Sequence, residues 1–246
     1  MRLKVHHRTE YAYTNPVSSN SNELRLSPKL TPHQKVESNF ISVLPATRLT
    51  RFTDLNFNRV HYFTVPQAHD NLIIDSRFTV ETKKPFVKDS LPYGCAHDQL
   101  KGCTKIDACH TYLQDSRFVE KTPQIWREAL DIRANSNDVF ETSYALMNFI
   151  FSDFTYASGA TEVTTHASEV IKGRTGVCQD FAHAMTAYCR SIDIPARYVS
   201  GYFYDSTRDQ KLRGSEASHA WVEIYAGRYG WVGLDPTNCK VVDDTY

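Results

Sequence analysis

Two hydrophobic rhythms divide the chain. Over residues 1–85, apolar positions come in short runs rich in Val, Ile, Phe, Tyr and Thr, separated by Pro, Asn, Ser or Asp. The runs at 35–44, 59–65 and 72–83 each stop at or just before a proline (Pro45, Pro66, Pro85) and read as strands. From Arg77 to Glu81 the alternation is strict, putting Phe78 and Val80 on one face and charge and hydroxyl on the other. Repeated short strands with turn signals between them predict an antiparallel sheet or sandwich.

From about residue 122 the period becomes helical. Thr122 before Pro123 is a helix start, an N-cap followed by proline at the first helical position. The segment 137–154 carries Val139, Phe140, Leu146, Met147, Phe149 and Ile150 at helical spacing, and 166–172 forms a short helix closed by Gly173. Residues 177–192 read as a helix with Phe181, Ala182, Met185, Cys189 and Ile192 inward, ended by Pro195. Beyond it come a strand over 197–204, a polar loop over 210–216, and strands over 218–225 and 231–235. Gly227 and Gly230 permit a tight turn between the last two. The stretch 86–115, mixed in composition and containing Pro92, Gly94 and Gly102, reads as a linker with one short helix. The domain division expected is 1–115, β-rich with its linker, and 116–246, the mixed core.

A length of 246 residues suits one large or two modest domains, and 41% apolar residues suffice for a buried core. Lys plus Arg equals Asp plus Glu at 28 each, so no net field draws the chain to nucleic acid or to an anionic membrane. No apolar run approaches the roughly 20 residues of a membrane span. The start, Met1 to Arg8, is basic but has no apolar stretch behind it, so no signal peptide is read and a cytoplasmic location is expected. The six cysteines (95, 103, 109, 178, 189, 239) form no C-x-x-C pair, and reduced thiols are expected.

One cysteine stands out. Cys178, in Gly176-Val177-Cys178-Gln179-Asp180-Phe181-Ala182-His183, opens a helix, where unpaired N–H groups and the positive dipole end favour a thiolate and can hold an oxyanion. A base must come from elsewhere. Five helical steps turn His183 about 140° away from Cys178, and Asp180 points to the opposite side. His219, in Ser218-His219-Ala220-Trp221-Val222-Glu223, opens a strand on the face of Trp221 and Glu223. Asp235 ends the next strand, in Trp231-Val232-Gly233-Leu234-Asp235-Pro236-Thr237. A turn centred near Gly227 or Arg228 sets Asp235 opposite His219 or one pair away, where a carboxylate can orient the imidazole. Each residue alone is ordinarily structural; together, at this spacing, they predict a cysteine nucleophile and acyl transfer.

These segments closely resemble the transglutaminase-like superfamily of papain-related cysteine enzymes, in its bacterial branch with an N-terminal β domain. The likeness extends to Ile194-Pro195-Ala196-Arg197-Tyr198-Val199-Ser200-Gly201-Tyr202, to Asp235-Pro236-Thr237-Asn238, and to Phe154-Thr155-Tyr156 with Thr161, Val163 and Thr165. Near the start, Tyr11-Ala12-Tyr13 and Asn22-Glu23-Leu24-Arg25-Leu26-Ser27-Pro28 also belong to it. The resemblance implies an α+β fold in which an antiparallel β module precedes a papain-like core, its nucleophile helix packed on an antiparallel sheet. It implies Cys178 as nucleophile, His219 as general base and acid, and Asp235 as the orienting carboxylate. The reaction implied is attack on a peptide, protein or glutaminyl amide through a thioester, with no metal or organic cofactor and net hydrolysis as the expected outcome. The chain departs from the family pattern twice. No Trp lies between Trp126 and Trp221 to serve an oxyanion, which leaves Tyr156 and the Gln179 side chain as alternatives. The chain also ends eight residues after Asn238, where branch members continue, so a truncated record with an uncovered sheet edge is expected.

Other readings compete. Cys95, His97, Cys103, Cys109 and His110 are soft ligands of the kind zinc takes, but their spacings match no usual site, and packing or surface roles are the plainer reading. Trp221 and Trp231 suit either a substrate cleft or the core. Arg197, Tyr198 and Tyr202 could shape specificity, or Arg197 could form a structural ion pair. His6, His7, His33, His61 and His69 read as exposed residues of the β module. The alternative to an enzyme is a non-catalytic member of the same fold that serves as a binding or scaffold module.

Overall fold

Six strands account for the first 84 residues, and all their pairings are antiparallel. The strands β1 (Arg2–Val17), β6 (His69–Thr82) and β3 (Gln34–Leu44) form one sheet in the order β1-β6-β3. A second sheet has the order β2-β5-β4, from β2 (Asn20–Leu24), β4 (Thr50–Thr53) and β5 (Arg59–Val65). Period-2 alternation gives each sheet one apolar face. Val43, Leu72 and Ile74 from the first and Leu24, Phe63 and Val65 from the second meet in a single core, as the strand pattern predicts for a sandwich. Phe78 and Val80 are buried as their alternation requires. His69 is a correction to the exposed reading of the module's histidines. It is 7% exposed, its Nδ1 bonds the Gln67 carbonyl at 2.8 Å, and the Tyr13 ring packs edge-on against it.

The computed structural model describes residues 1–86, 90–105, 107–204 and 218–246, with the backbone alone at 103–105 and 107–108. The polar loop expected over 210–216 lies outside the described residues. The chain folds into two units, Met1–Lys84 and Pro85–Tyr246. The stretch read as a linker therefore falls within the second unit. It forms a 3-10 turn over His97–Lys105, the helix α1 (Asp107–His110) and a further turn over Thr111–Leu113. Cys95, Leu100, Cys109 and Leu113 are buried, and the Val139 and His97 amides bond the carbonyls of Cys95 and Asn137. No long periodic run announces such short turns, so composition alone resembles a linker.

In this unit α2 (Pro123–Arg133) starts as its sequence signals predict: the Thr122 hydroxyl accepts the Ile125 N–H at 3.2 Å. The helix α3 (Val139–Asp153) is capped by Asp138, and α4 (Ala167–Gly173) follows His166. Two-residue strands β7 (Thr155–Tyr156) and β8 (Thr175–Gly176) pair in parallel just before α5 (Cys178–Ser191). The strands β9 (Ala196–Gly201), β10 (His219–Tyr225), β11 (Trp231–Asp235) and β12 (Lys240–Val241) form an antiparallel sheet in the order β12-β11-β10-β9. From Asp180 to Arg190 every residue of α5 is buried, so the helix is enclosed on all sides by the sheet and by α2, α3 and α4. Its large apolar groups (Phe181, Met185 and Tyr188) pack with Phe140, Ile224 and Leu234 in one core. The molecule is thus an antiparallel sandwich followed by an α+β unit in which a central helix lies on an antiparallel sheet. No helix among the described residues is long and apolar enough to cross a membrane.

Candidate active site

The start of α5 leaves the Cys178 sulfur at an unpaired helix end. Val177 is extended, and its N–H is taken by Asp180 Oδ2 at 2.8 Å. Asp180 therefore folds back over the first turn, where it also accepts the Thr161 hydroxyl at 2.5 Å. Gly176 makes the room, since a Cβ there would stand 2.6 Å from the Asp180 Cβ. The Cys178 N–H, first in the helix, has no intrahelical acceptor. Cys178 is half-buried, whereas Cys95, Cys109 and Cys189 are buried. Burial pushes the Cys189 thiol up to about 12, which leaves it inert.

The other two groups arrive on neighbouring strands. Gly227 (φ +58°) and Gly230 (φ +70°) turn the chain between β10 and β11. The register pairs Tyr225 with Trp231 and Val222 with Leu234. Continued one step, it sets Asp235 opposite Trp221, so His219 is its neighbour one pair along on the same face. His219 Nε2 lies 2.8 Å from Asp235 Oδ2, and both side chains are 0% exposed. Asp235 is saturated. Oδ2 also accepts the Asn238 amide at 2.9 Å and the Tyr246 hydroxyl at 2.7 Å, while Oδ1 accepts the N–H groups of Thr237 and Asn238 at 2.8 and 3.3 Å.

The electrostatics follow from this bonding. Burial opposes charge on His219, but its hydrogen bond to Asp235 and its interactions with Cys178 outweigh burial and raise its pKa to about 9. Burial would also raise Asp235, and the bonds from His219, Tyr246 and Asn238 hold it below the usual carboxylate range instead. With Nε2 taken by Asp235, Nδ1 is the nitrogen left for the sulfur; it is buried and makes no hydrogen bond among the described residues. A protonated imidazole held by a carboxylate beside a cysteine can stabilise a thiolate and deliver a proton.

A pH dependence of stability follows. His219 titrates near 9 in the folded protein and near about 6.5 unfolded, so its contribution is full below about 6.5 and lost as pH rises through about 9. Asp235, held low, contributes above about 3.9 and loses its contribution as pH falls through its folded value. Thermal unfolding midpoints measured from pH 7 to 10 should fall, and His219→Ala should lack that part of the decline.

The remaining candidates fall at varied distances from this cluster. Trp221 joins it, its ring tilted 31° to His219 at 6.4 Å, and Gly201 on β9 makes space where a Cβ would collide with the indole. The indole Nε1 is buried without a partner among the described residues. Gln179 shares the helix end, but its side-chain amide donates to the Val163 carbonyl at 3.2 Å. Tyr156 pairs with Gly176 across β7 and β8 and packs edge-on to Phe181, so its ring belongs with the core. Tyr202 follows β9, and burial raises its pKa. Asp180 and His183 both lie away from the pair: Asp180 caps the helix, and His183 stacks on Phe118 at 5.8 Å and tilts onto Tyr198 at 5.1 Å. Arg197 pairs with Glu223 at 2.5 Å and covers Trp231 at 4.1 Å, which is the structural alternative for both.

His97 bonds the Thr142 hydroxyl at 3.0 Å, and burial pushes its pKa down to about 4. Among the described residues no three His, Cys, Asp or Glu gather as a metal site; the Cys103 side chain is outside them. Sequence reasoning missed Tyr246, whose bond to Asp235 spans eleven positions of turns and the two-residue strand β12. It also missed Asp180 as a cap, although an acid three positions after an extended residue is the signal that could have found it.

Comparison with known proteins covers both units. Residues 128–236 match the profile of the transglutaminase-like superfamily, and residues 3–81 match that of the bacterial transglutaminase-like N-terminal region. An uncharacterised protein of Mycobacterium tuberculosis is 33% identical over 256 residues, spanning 100% of this chain and 81% of that protein. A solved structure from Cytophaga hutchinsonii, described as a candidate cysteine protease, superposes with a TM-score of 0.77 at 23% identity. It covers 100% of this chain and 81% of its own, a likeness of fold. A protein-glutamine gamma-glutamyltransferase of Pseudomonas aeruginosa is 37% identical over 67 residues, 26% of this chain and 10% of that protein.

Proposed function

The chain belongs to the transglutaminase-like superfamily, and we propose that it is a cysteine-dependent enzyme acting on peptide, protein or glutaminyl amides through a thioester. One observation carries the reading: a buried imidazole bonded to the Asp235 carboxylate lies where Cys178 also helps to raise its pKa. In this mechanism the thiolate attacks the amide carbonyl carbon, a C–S bond forms, and the carbonyl pair moves to oxygen. The Cys178 N–H is the first donor to that oxyanion. As it collapses the C–N bond breaks, and the leaving nitrogen takes the proton from His219. Water then attacks the thioester and gives a proton to His219. The C–S bond breaks, releasing a carboxylic acid and restoring the sulfur. Asp235 keeps the imidazole in the tautomer that serves both steps.

Hydrolysis is the net outcome we favour, since water is the acceptor a cleft admits unless it is built to exclude it. Amine transfer has the 67-residue likeness to a glutamine gamma-glutamyltransferase on its side. A purely binding module would have no use for a charged pair buried at 0% exposure, which is costly to desolvate. Unbridged thiols at Cys178, Cys189 and Cys239 fit a reducing compartment, and we place the protein in the cytoplasm on that ground.

Iodoacetamide labelling with mass mapping tests the activated sulfur. At pH 6 Cys178 should be alkylated faster than Cys239, which is also half-buried and whose thiol donates to Asn148 Oδ1 at 2.7 Å. Equal rates at the two positions would sink the thiolate mechanism.

A further inference from the structure

We infer that Tyr246 is a positioning residue for the catalytic set: its hydroxyl fixes the Asp235 oxygen that His219 binds, and its ring closes that bond off from water. The inference rests on Cys178, His219 and Asp235 being that set. Three donors converge on Oδ2, namely His219 Nε2 at 2.8 Å, Asn238 Nδ2 at 2.9 Å and the Tyr246 hydroxyl at 2.7 Å. With Oδ1 held by two backbone N–H groups, the carboxylate has no freedom to turn away from the imidazole. The Tyr246 ring stands 4.6 Å from Phe203, 5.4 Å from Trp221 and 6.2 Å from His219. These three aromatic side chains wall the His219–Asp235 bond, and low polarity strengthens a charged hydrogen bond.

Tyr246 is itself held. The segment after β12 bonds back to the sheet, Val242 N–H to the Gly233 carbonyl at 2.9 Å and the Tyr204 N–H to the Thr245 carbonyl at 2.8 Å. Gly233 admits this path, since a Cβ there would stand 2.6 Å from the Val242 Cβ. Burial, with the Asp235 charge, keeps the phenol far above its ordinary range, so it donates throughout the working pH. The titratable groups facing the pair are Cys178 from α5, Cys239 from the turn after β11, and Asp243 beside Tyr246. Lys240 is the nearby cation, 5.3 Å over the Phe203 ring.

Tyr246→Phe keeps the ring and removes only the hydroxyl. Losing a donor that competes for Oδ2 leaves a more basic oxygen for His219, so the imidazole should titrate at higher pH. Its orientation should be less restrained. With carbobenzoxy-glutaminyl-glycine as probe and ammonia release as the assay, kcat should fall roughly 10-fold, the low end of what such positioning groups contribute, with KM unchanged. The His219 titration is read independently by 1H–15N NMR in a Cys178→Ala background, with and without Tyr246→Phe. A residue that only supports the fold would lower the unfolding midpoint and leave that titration in place, which overturns the inference. If the titration moves while the unmodified protein turns over no amide, the catalytic reading fails and the positioning of Asp235 stands. If turnover is normal in Tyr246→Phe and the titration is unmoved, the reverse holds.

Discussion

Cys178→Ala is expected to fold as the native chain does and to lose turnover by on the order of 10⁵-fold or more, the scale seen when a nucleophile of a concerted set is removed. The side chain sits half-buried at the first position of α5 and takes no part in capping it, which falls to Asp180 and the Val177 N–H. Alanine is the best helix former and removes a single sulfur, so stability should change by about 1 kcal/mol or less. Circular dichroism and thermal unfolding check the fold, and ammonia release from glutaminyl peptides checks the chemistry. Retained activity would remove Cys178 from the mechanism.

Asp235→Asn is the second large effect, and it should act on activity and stability together. Five donors point at the carboxylate, and asparagine offers one acceptor oxygen and an NH₂ group. Whichever way the amide sits, an N–H faces a donor, and a buried polar mismatch of this kind costs about 1–3 kcal/mol. If the NH₂ meets His219 Nε2, the imidazole is driven to the tautomer with its proton on Nδ1, which cannot take the proton of the thiol. By analogy with the serine-enzyme triad, kcat should fall by on the order of 10⁴-fold. Steady-state kinetics with thermal unfolding checks both parts. A variant that keeps more than a tenth of native kcat would show that Asp235 does not orient His219.

Much of this was legible in the sequence because local signals and long-range packing agreed. The strand β11 ends where its run ends, Thr122 caps α2, and alternation put His219, Trp221 and Glu223 on one face. The turn centred at Arg228 is one of the two registers that the glycines at 227 and 230 allowed. What stayed hidden depends on contacts between distant positions. Tyr246 reaches Asp235 across turns and a strand of only two residues, and no periodicity marks it. His69 is buried by Tyr13 and by its own turn, which composition cannot convey. The helical turns between 97 and 113 are too short to repeat, so no periodicity marks Leu100 and Cys109 as buried. The Gln179 side-chain amide donates to the Val163 carbonyl, a partner sixteen positions back that no local motif reveals.

The enclosure of α5 bears on how the protein ages and fails. Surface helices open in local fluctuations far cheaper than unfolding, but a helix buried on every side from Asp180 to Arg190 exchanges its amides only when the whole unit opens. The Cys178 sulfur is carried at the tip of that rod. The placement of that helix end therefore persists as long as the core does.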